Sequence, residues 1–448
     1  MSVSPPGPNR RYWGTSLFSL EPSPEKFLTN LAQEYGDVTR FRIGAQEMML
    51  VNSPEGIRNI LVTQASKFTK GRVLRRARWF LGEGLLTSEG ETHRRQRRLT
   101  QPAFHRARLE GYANTMVACA GQLRDRWCEG EEVDISSEMN RLTLAIVGRT
   151  LFSADVEADA QKVGAALTLL IENLGRMLLP FSNFLLKLPL PGSRRMVEAR
   201  AVLDETIYRV VNERRMTGKD TGDLLSMLVF AEDADQPGER LTDIEVRDQV
   251  MTLFLAGHET TANALSWTWW LLSQNPAVDA ALQEELTRVL GDRPAGFNDA
   301  RALPYTEMVV REALRLYPPA WTIGRQAMED VPLGEYIIPA QTVVIVSPWV
   351  AQRDARFFPD PLTFKPERWT PEFTAALPKF AYFPFGGGPR VCIGEGFAWM
   401  ELILILATLR QRWRLQARPG EEPHCLPRIT LRMAPGVWMK PVRAERPV

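Results

Sequence analysis

The stretch Phe385-Gly386-Gly387-Gly388-Pro389-Arg390-Val391-Cys392-Ile393-Gly394 decides how this chain is read. Three glycines and a proline argue against regular structure up to Arg390. Behind them an apolar-rich pattern predicts a last long helix over about Gly394–Trp413. Cys392 therefore sits where a glycine-rich loop enters a helix. Unpaired backbone N–H groups and the positive dipole end at such a place favour a thiolate. The glycines let the backbone approach a flat group closely, and Arg390 could neutralise an anion beside it. An isolated cysteine in a turn is usually just a small buried side chain. The spacing Phe-x-x-Gly-x-x-x-Cys-x-Gly fixes four residues and argues for chemistry.

The surroundings are ordinary. The chain has 448 residues, 55 Lys+Arg against 53 Asp+Glu, 44% hydrophobic and 24% charged residues. That excludes a disordered, collagen-like or disulfide-dense chain. Four cysteines (Cys119, Cys128, Cys392, Cys425) suit a reducing compartment. Met1–Leu20 lacks the apolar stretch of a signal peptide. The most apolar run, Met251–Leu272, is interrupted by His258, Glu259, Thr260, Thr261 and Asn263, so no membrane span or anchor is read. A cytoplasmic protein is expected. No linker divides the composition, and residues 1–448 are read as one domain with a Pro-rich segment over 1–20.

The pattern is helix-majority, mainly α (α+β). A helix is predicted over about Pro24–Tyr35, and strands over about Val38–Ile43 and Glu47–Val51. β-type runs follow Pro318, at Tyr336–Ile338 and Thr342–Val346. Thr242-Asp-Ile-Glu245 is a capping box, and Asn275-Pro276 a stop. The 32 residues between, Asp243–Gln274, make a helix about 48 Å long at about 1.5 Å per residue. Its middle carries Gly257-His258-Glu259-Thr260-Thr261, polar groups that a buried helix must satisfy or use.

Other motifs fail. His258-Glu259-Thr260-Thr261-Ala262 lacks the second histidine of a zinc protease. Gly394-Glu-Gly396-Phe-Ala-Trp399 lacks the third glycine of a dinucleotide fingerprint. No phosphate-binding loop or serine nucleophile elbow is present.

The cysteine stretch resembles the haem-binding loop of the cytochrome P-450 family, the haem-thiolate monooxygenases. Three further segments agree in order. Ala256–Thr261 resembles the oxygen-binding groove of the family's central helix. Glu312-Ala-Leu-Arg315 resembles its Glu-x-x-Arg helix. Pro366-Glu367-Arg368-Trp369 resembles its Pro-Glu-Arg-Phe segment, with Trp for Phe. The resemblance spans about Pro22–Trp438. It implies a helix-rich triangular prism with a small β region, haem b as cofactor, and Cys392 as the thiolate ligand of iron. Phe385 would pack near the thiolate and Gly394 would belong to the same haem loop. His93, Arg97, Arg325 and Arg390 would pair with the propionates. Thr260 and Glu259 would be the alcohol and acid that deliver protons during oxygen activation, and Ala256 and Gly257 would make room for O2. Glu312, Arg315 and Arg368 would form a structural ion-pair network.

Electrons would come from an external ferredoxin or flavodoxin with an NAD(P)H-dependent reductase. Lys70–Arg108 holds eleven Lys/Arg against three Asp/Glu, a stretch that would favour an acidic donor; no nucleic-acid motif accompanies it. The implied pocket residues are Phe80, Leu85, Leu86, Leu179, Phe181, Phe184, Leu255, Ala256, Ala320, Trp321, Thr322, Ile323, Val437 and Trp438. Their apolar character implies a hydrophobic substrate of the fatty acid, terpenoid or carotenoid class. The rival readings are a peroxide-driven peroxygenase, which typically lacks the acid–alcohol pair, and a non-catalytic haem-thiolate sensor. A monomer is expected.

Overall fold

In the computed structural model, residues 4–9, 12, 17, 23–152, 157–173, 188, 190–233, 236 and 238–444 are described. Helix Asp243–Gln274 runs through the molecule as its central element. Its capping box is complete: Thr242 Oγ1 accepts from Glu245 N–H at 3.2 Å, and Glu245 Oε2 accepts from Thr242 N–H at 2.9 Å. Helix Ile135–Phe152 packs along one side of it, where Thr143 Oγ1 donates to His258 O at 3.0 Å. A Cβ on Gly257 would stand 3.0 Å from Val147 Cγ2 of that helix. Helix–helix packing thus gives the glycine a structural reason of its own.

The smaller region is a five-stranded sheet of β1 (Val38–Ile43), β2 (Gln46–Val51), β3 (Phe68–Lys70), β4 (Ile323–Ala327) and β5 (Val343–Val346), ordered β1-β2-β5-β4-β3. The register sets Lys70 opposite Arg325. That pairing brings two cations 255 residues apart in sequence to one place. The predicted first helix is observed at Pro24–Tyr35 and the last long helix at Glu395–Arg410.

Glu312, Arg315 and Arg368 do form one buried network. Arg315 grips Glu312 through Nε and Nη2, both at 2.8 Å, and Arg368 Nε donates to Glu312 Oε1 at 2.9 Å. The spare guanidinium hydrogens go to the carbonyls of Gln352, Pro361 and Pro359. Trp369 Nε1 donates to Glu312 Oε2 at 2.9 Å, so the tryptophan that departs from the family pattern adds a donor to the same carboxylate.

Candidate active site

The cysteine loop is closed by Cys392 N–H donating to Phe385 O at 3.0 Å. Gly386 and Gly388 have φ of +75° and +67°, and a Cβ on Gly388 would meet Leu61 O at 2.0 Å. These glycines also serve the loop's own path. The Phe385 ring lies 5.7 Å from the Trp399 ring. Burial pushes the Cys392 thiol up, while the Gly394 N–H and the Arg97 guanidinium pull it down. Cys392 nevertheless keeps open surface. A side chain enclosed by protein yet open to solvent-sized space faces an internal hollow.

The central helix shows the same signature. From Val246 to Leu272 it is almost wholly buried, but Ala256, Gly257 and Thr260 keep open surface. Residues i and i+4 share one face, so Ala256 and Thr260 mark one opening. Thr260 Oγ1 donates to Ala256 O at 2.6 Å, diverting that carbonyl's hydrogen bond to a side chain on the open side. Ile323 Cδ1 would touch a Cβ on Gly386 at 3.5 Å, placing β4 against the cysteine loop. Arg325, two residues on, shares the Ile323 face of the strand.

Five basic groups converge at the edge of this hollow. His93 and Arg97 lie one turn apart on helix Gly90–Thr100. Arg390 comes from the cysteine loop, and Lys70 and Arg325 from the sheet. Lys70 Nζ donates to Leu85 O at 2.9 Å and Ser88 O at 3.0 Å; Arg390 Nη1 donates to Ser88 O at 2.8 Å. Arg97 Nη1 donates to Val391 O at 2.8 Å. Glu89 pairs with Arg390 and is the one carboxylate acting on Lys70, Arg325 and Arg390. Burial and the neighbouring cations together push His93 down to about 3 and Lys70 down to about 6. With Lys70 lowered to about 6, Arg97, Arg325 and Arg390 against Glu89 leave a local excess of +2 at neutral pH. A buried excess of this kind is costly unless an anion offsets it. A flat ligand carrying two carboxylates, with a metal for Cys392, fits this arrangement.

The comparisons with known proteins agree. The family model for cytochrome P450 matches residues 5–441. The chain belongs to the cytochrome P450 family. It is 40% identical to cyclooctatin synthase of Streptomyces melanosporofaciens over 414 residues, covering 92% of this chain and 90% of that protein. It is 38% identical to pentalenene oxygenase of Streptomyces avermitilis over 402 residues, covering 89% and 88%. The crystal structure of the cytochrome P450DA heme domain superposes with a TM-score of 0.89 at 26% identity, covering 99% of each chain. This P450 is thus a haem-thiolate monooxygenase that takes a hydrophobic substrate, O2 and electrons from a redox partner. Haem iron, when bound, supplies oxygen activation, and its charge deprotonates a coordinating thiol.

The remaining expected residues are placed unequally. Glu259 is buried and held away from Thr260 by its own bonds: Thr430 Oγ1 and Arg432 Nε each donate to Glu259 Oε1 at 2.6 Å. It lies at a cleft of about 750 Å³ of mixed lining, with Gln122, Asn140, Arg149 and Asn263 beside Leu142, Leu144 and Met433. Of the pocket residues, Ala256, Ala320, Thr322, Ile323 and Leu86 keep open surface. Leu85 is buried beside the central helix and Leu255 is buried on it. Phe80, Trp321 and Val437 are fully packed, and the Trp321 indole donates to Arg428 O at 2.9 Å. Trp438 is 43% exposed on an outer strand paired with Asp134, away from this wall. Leu179, Phe181 and Phe184 lie outside the described residues.

Sequence reasoning missed two features. The turn Arg428–Thr430, not Val437–Trp438, reaches the central helix: Asn263 Nδ2 donates to Thr430 Oγ1 at 3.2 Å, and Leu431 N–H to Pro319 O at 2.9 Å. Lys70 was hidden inside the basic run. The same run is also far less available to a partner than its count implied. Arg78 pairs with Glu83, Arg94 with Glu91, Arg95 with Glu239 and Glu245, Arg98 with Asp233, and Arg108 with Asp220. Asp220, Asp233, Glu239 and Glu245, all from outside the run, offset about half of its excess. No helix among the described residues is long and apolar enough to cross a membrane.

Proposed function

We propose that this P450 binds haem b through Cys392 and hydroxylates an unactivated C–H bond of a terpenoid-class hydrocarbon or its alcohol. The observation that carries the reading is the convergence on one hollow of Cys392, the open Ala256–Thr260 face and five basic groups. Two relatives support the substrate class: one is named for pentalenene, and a second, 37% identical, is a cyclooctat-9-en-7-ol 5-monooxygenase. Such carbon skeletons offer few groups to hydrogen-bond, which suits walls of Ala256, Ile323, Leu86 and Ile429.

In this reading His93, Arg97, Arg325, Arg390 and also Lys70 hold the two propionates. Phe385 packs beside the sulfur, and Gly394 N–H points at it. Thr260 holds a hydroxyl at the open face. Glu259, at the cleft, takes up a proton from solvent; it must leave Arg432 and Thr430 to pass that proton toward Thr260. The electrons come from a separate ferredoxin or flavodoxin served by an NAD(P)H-dependent reductase, and the protein is a cytoplasmic monomer of one domain. Retention of both Thr260 and Glu259 favours O2 over peroxide as oxidant.

The test is a panel of cyclic terpenes, fatty acids and carotenoids added to the ferric protein. A low-to-high spin shift and a hydroxylated product with cyclic terpenes, under a ferredoxin–reductase system, are expected. A response confined to fatty acids or carotenoids would overturn the terpenoid reading. Turnover with peroxide alone would overturn the oxidant.

A further inference from the structure

Glu401 stands on the helix that follows Cys392, at the end of its second turn, and has no exposed surface. Its Oε2 lies 3.0 Å from Thr261 Oγ1, and its Oε1 has no hydrogen-bond partner among the described residues. Thr261 Oγ1 also lies 3.1 Å from Gly257 O, the carbonyl one turn back in the central helix. A threonine hydroxyl has one hydrogen. It cannot donate to both a carboxylate and a carbonyl, and a buried carboxylate without a cation or a second donor is costly.

No charged neighbour resolves this. On the central helix, the His258 ring is turned to Phe254 O and Glu259 is bound by Arg432. On the helix Pro304–Leu316, Glu312 and Arg315 bind each other. On Glu401's own helix, Arg410 is paired with Asp279 of helix Pro276–Val289, and Glu395 lies at the opposite end. Burial and the Thr261 contact are the influences on the carboxyl, and burial raises it to about 8.

We propose that Glu401 is a positioning residue held as a neutral carboxylic acid, whose O–H donates to Thr261 Oγ1 and thereby commits the Thr261 hydroxyl to Gly257 O. The arrangement is a directed chain, Glu401 to Thr261 to Gly257, on the flank of the central helix next to its open face. Thr260 serves the carbonyl of Ala256 and Thr261 that of Gly257. Two adjacent hydroxyls thus hold two successive carbonyls, and the Glu401 proton sets the direction of the second. This rests on the reading of residues 256–260 as the oxygen-side groove, but the protonation state itself does not.

Infrared difference spectra of the haem-loaded protein at pH 7, wild type minus Glu401→Gln, test it. The expected result is a carbonyl-stretch band of an un-ionised carboxylic acid. Thr261→Val, which removes the acceptor but leaves Glu401 in place, should shift that band to higher frequency. Carboxylate bands in the first difference, or an unshifted acid band in the second, would overturn the proposal. A second readout covers the case in which spectra are obscured. The native acid outlasts its unfolded counterpart, whose pKa is near 4.5. Its stabilising share is therefore complete below about pH 4.5 and lost as pH rises through about 8. Wild type should lose thermal stability across that window more steeply than Glu401→Gln, and equal slopes would contradict the proposal. Neither readout depends on the substrate, so failure here and failure of the terpenoid reading are separable.

Discussion

Two clusters of basic residues, one around Glu312 and one around Cys392, are built on opposite terms. Around Glu312, two guanidinium groups, an indole N–H and a backbone N–H converge on one carboxylate, and the leftover donors find carbonyls. Around the hollow, Lys70, His93, Arg97, Arg325 and Arg390 face one another, and among the described residues Glu89 is the carboxylate that acts on Lys70, Arg325 and Arg390. The first cluster is complete within the protein. The second keeps an excess of cations, which in the proposed reading the haem propionates would offset. Burial and charge alone do not separate a structural ion pair from a binding site; satisfaction does.

The contrast is broken most severely at Glu312. Replacement by Ala leaves two buried arginines without a carboxylate and should cost about 3–5 kcal/mol in urea unfolding. A loss below about 1 kcal/mol would mean that the network is not the fold's brace. Arg325→Met should act differently by cluster logic. It removes a repulsive cation, so the chain without haem should be no less stable, while haem loss to an acceptor protein should quicken about tenfold, the loss of one charge-assisted bond of about 1.5 kcal/mol. Equal destabilisation with and without haem would contradict the comparison.

Titration sharpens it. His93 is held near 3 against 6.5 when unfolded. Its neutral form is the folded one, so its share of stability is full above about pH 6.5 and erodes as pH falls toward 3. The erosion is up to about 1.4 kcal/mol per pH unit for a single group. Propionates should raise this pKa, so haem binding at pH 5 should take up protons, as calorimetry in buffers of different ionisation enthalpy would show. His93→Gln should reduce the uptake. The smallest effect is expected at Trp369→Phe. It removes one donor from Glu312 and should cost about 1–2 kcal/mol, well below Glu312→Ala.

The two clusters also differ in how far sequence revealed them. Glu312 and Arg315 sit three apart on one helix, and Arg368 follows in a short motif. The central helix was legible to its ends because a capping box and Asn275-Pro276 are local signals. The haem-side cluster was half legible: His93, Arg97, Arg325 and Arg390 lie in motifs, but Lys70 joins them only through the β3–β4 register. The partners of Glu259 come from a turn about 170 residues away, and no local pattern announces them. The basic run over Lys70–Arg108 hides its pairing for the same reason. Its countercharges, Asp233, Glu239 and Glu245, are supplied by distant chain.

The most direct measurement is the absorption spectrum of the reduced, carbon monoxide-bound protein, for wild type and Cys392→His. A strongly red-shifted Soret band in wild type, moved to the shorter wavelength of a histidine-ligated haem in the variant, is the predicted result. A short-wavelength band in freshly prepared wild type, unchanged by the substitution, would contradict Cys392 as the thiolate ligand and with it the account of the site.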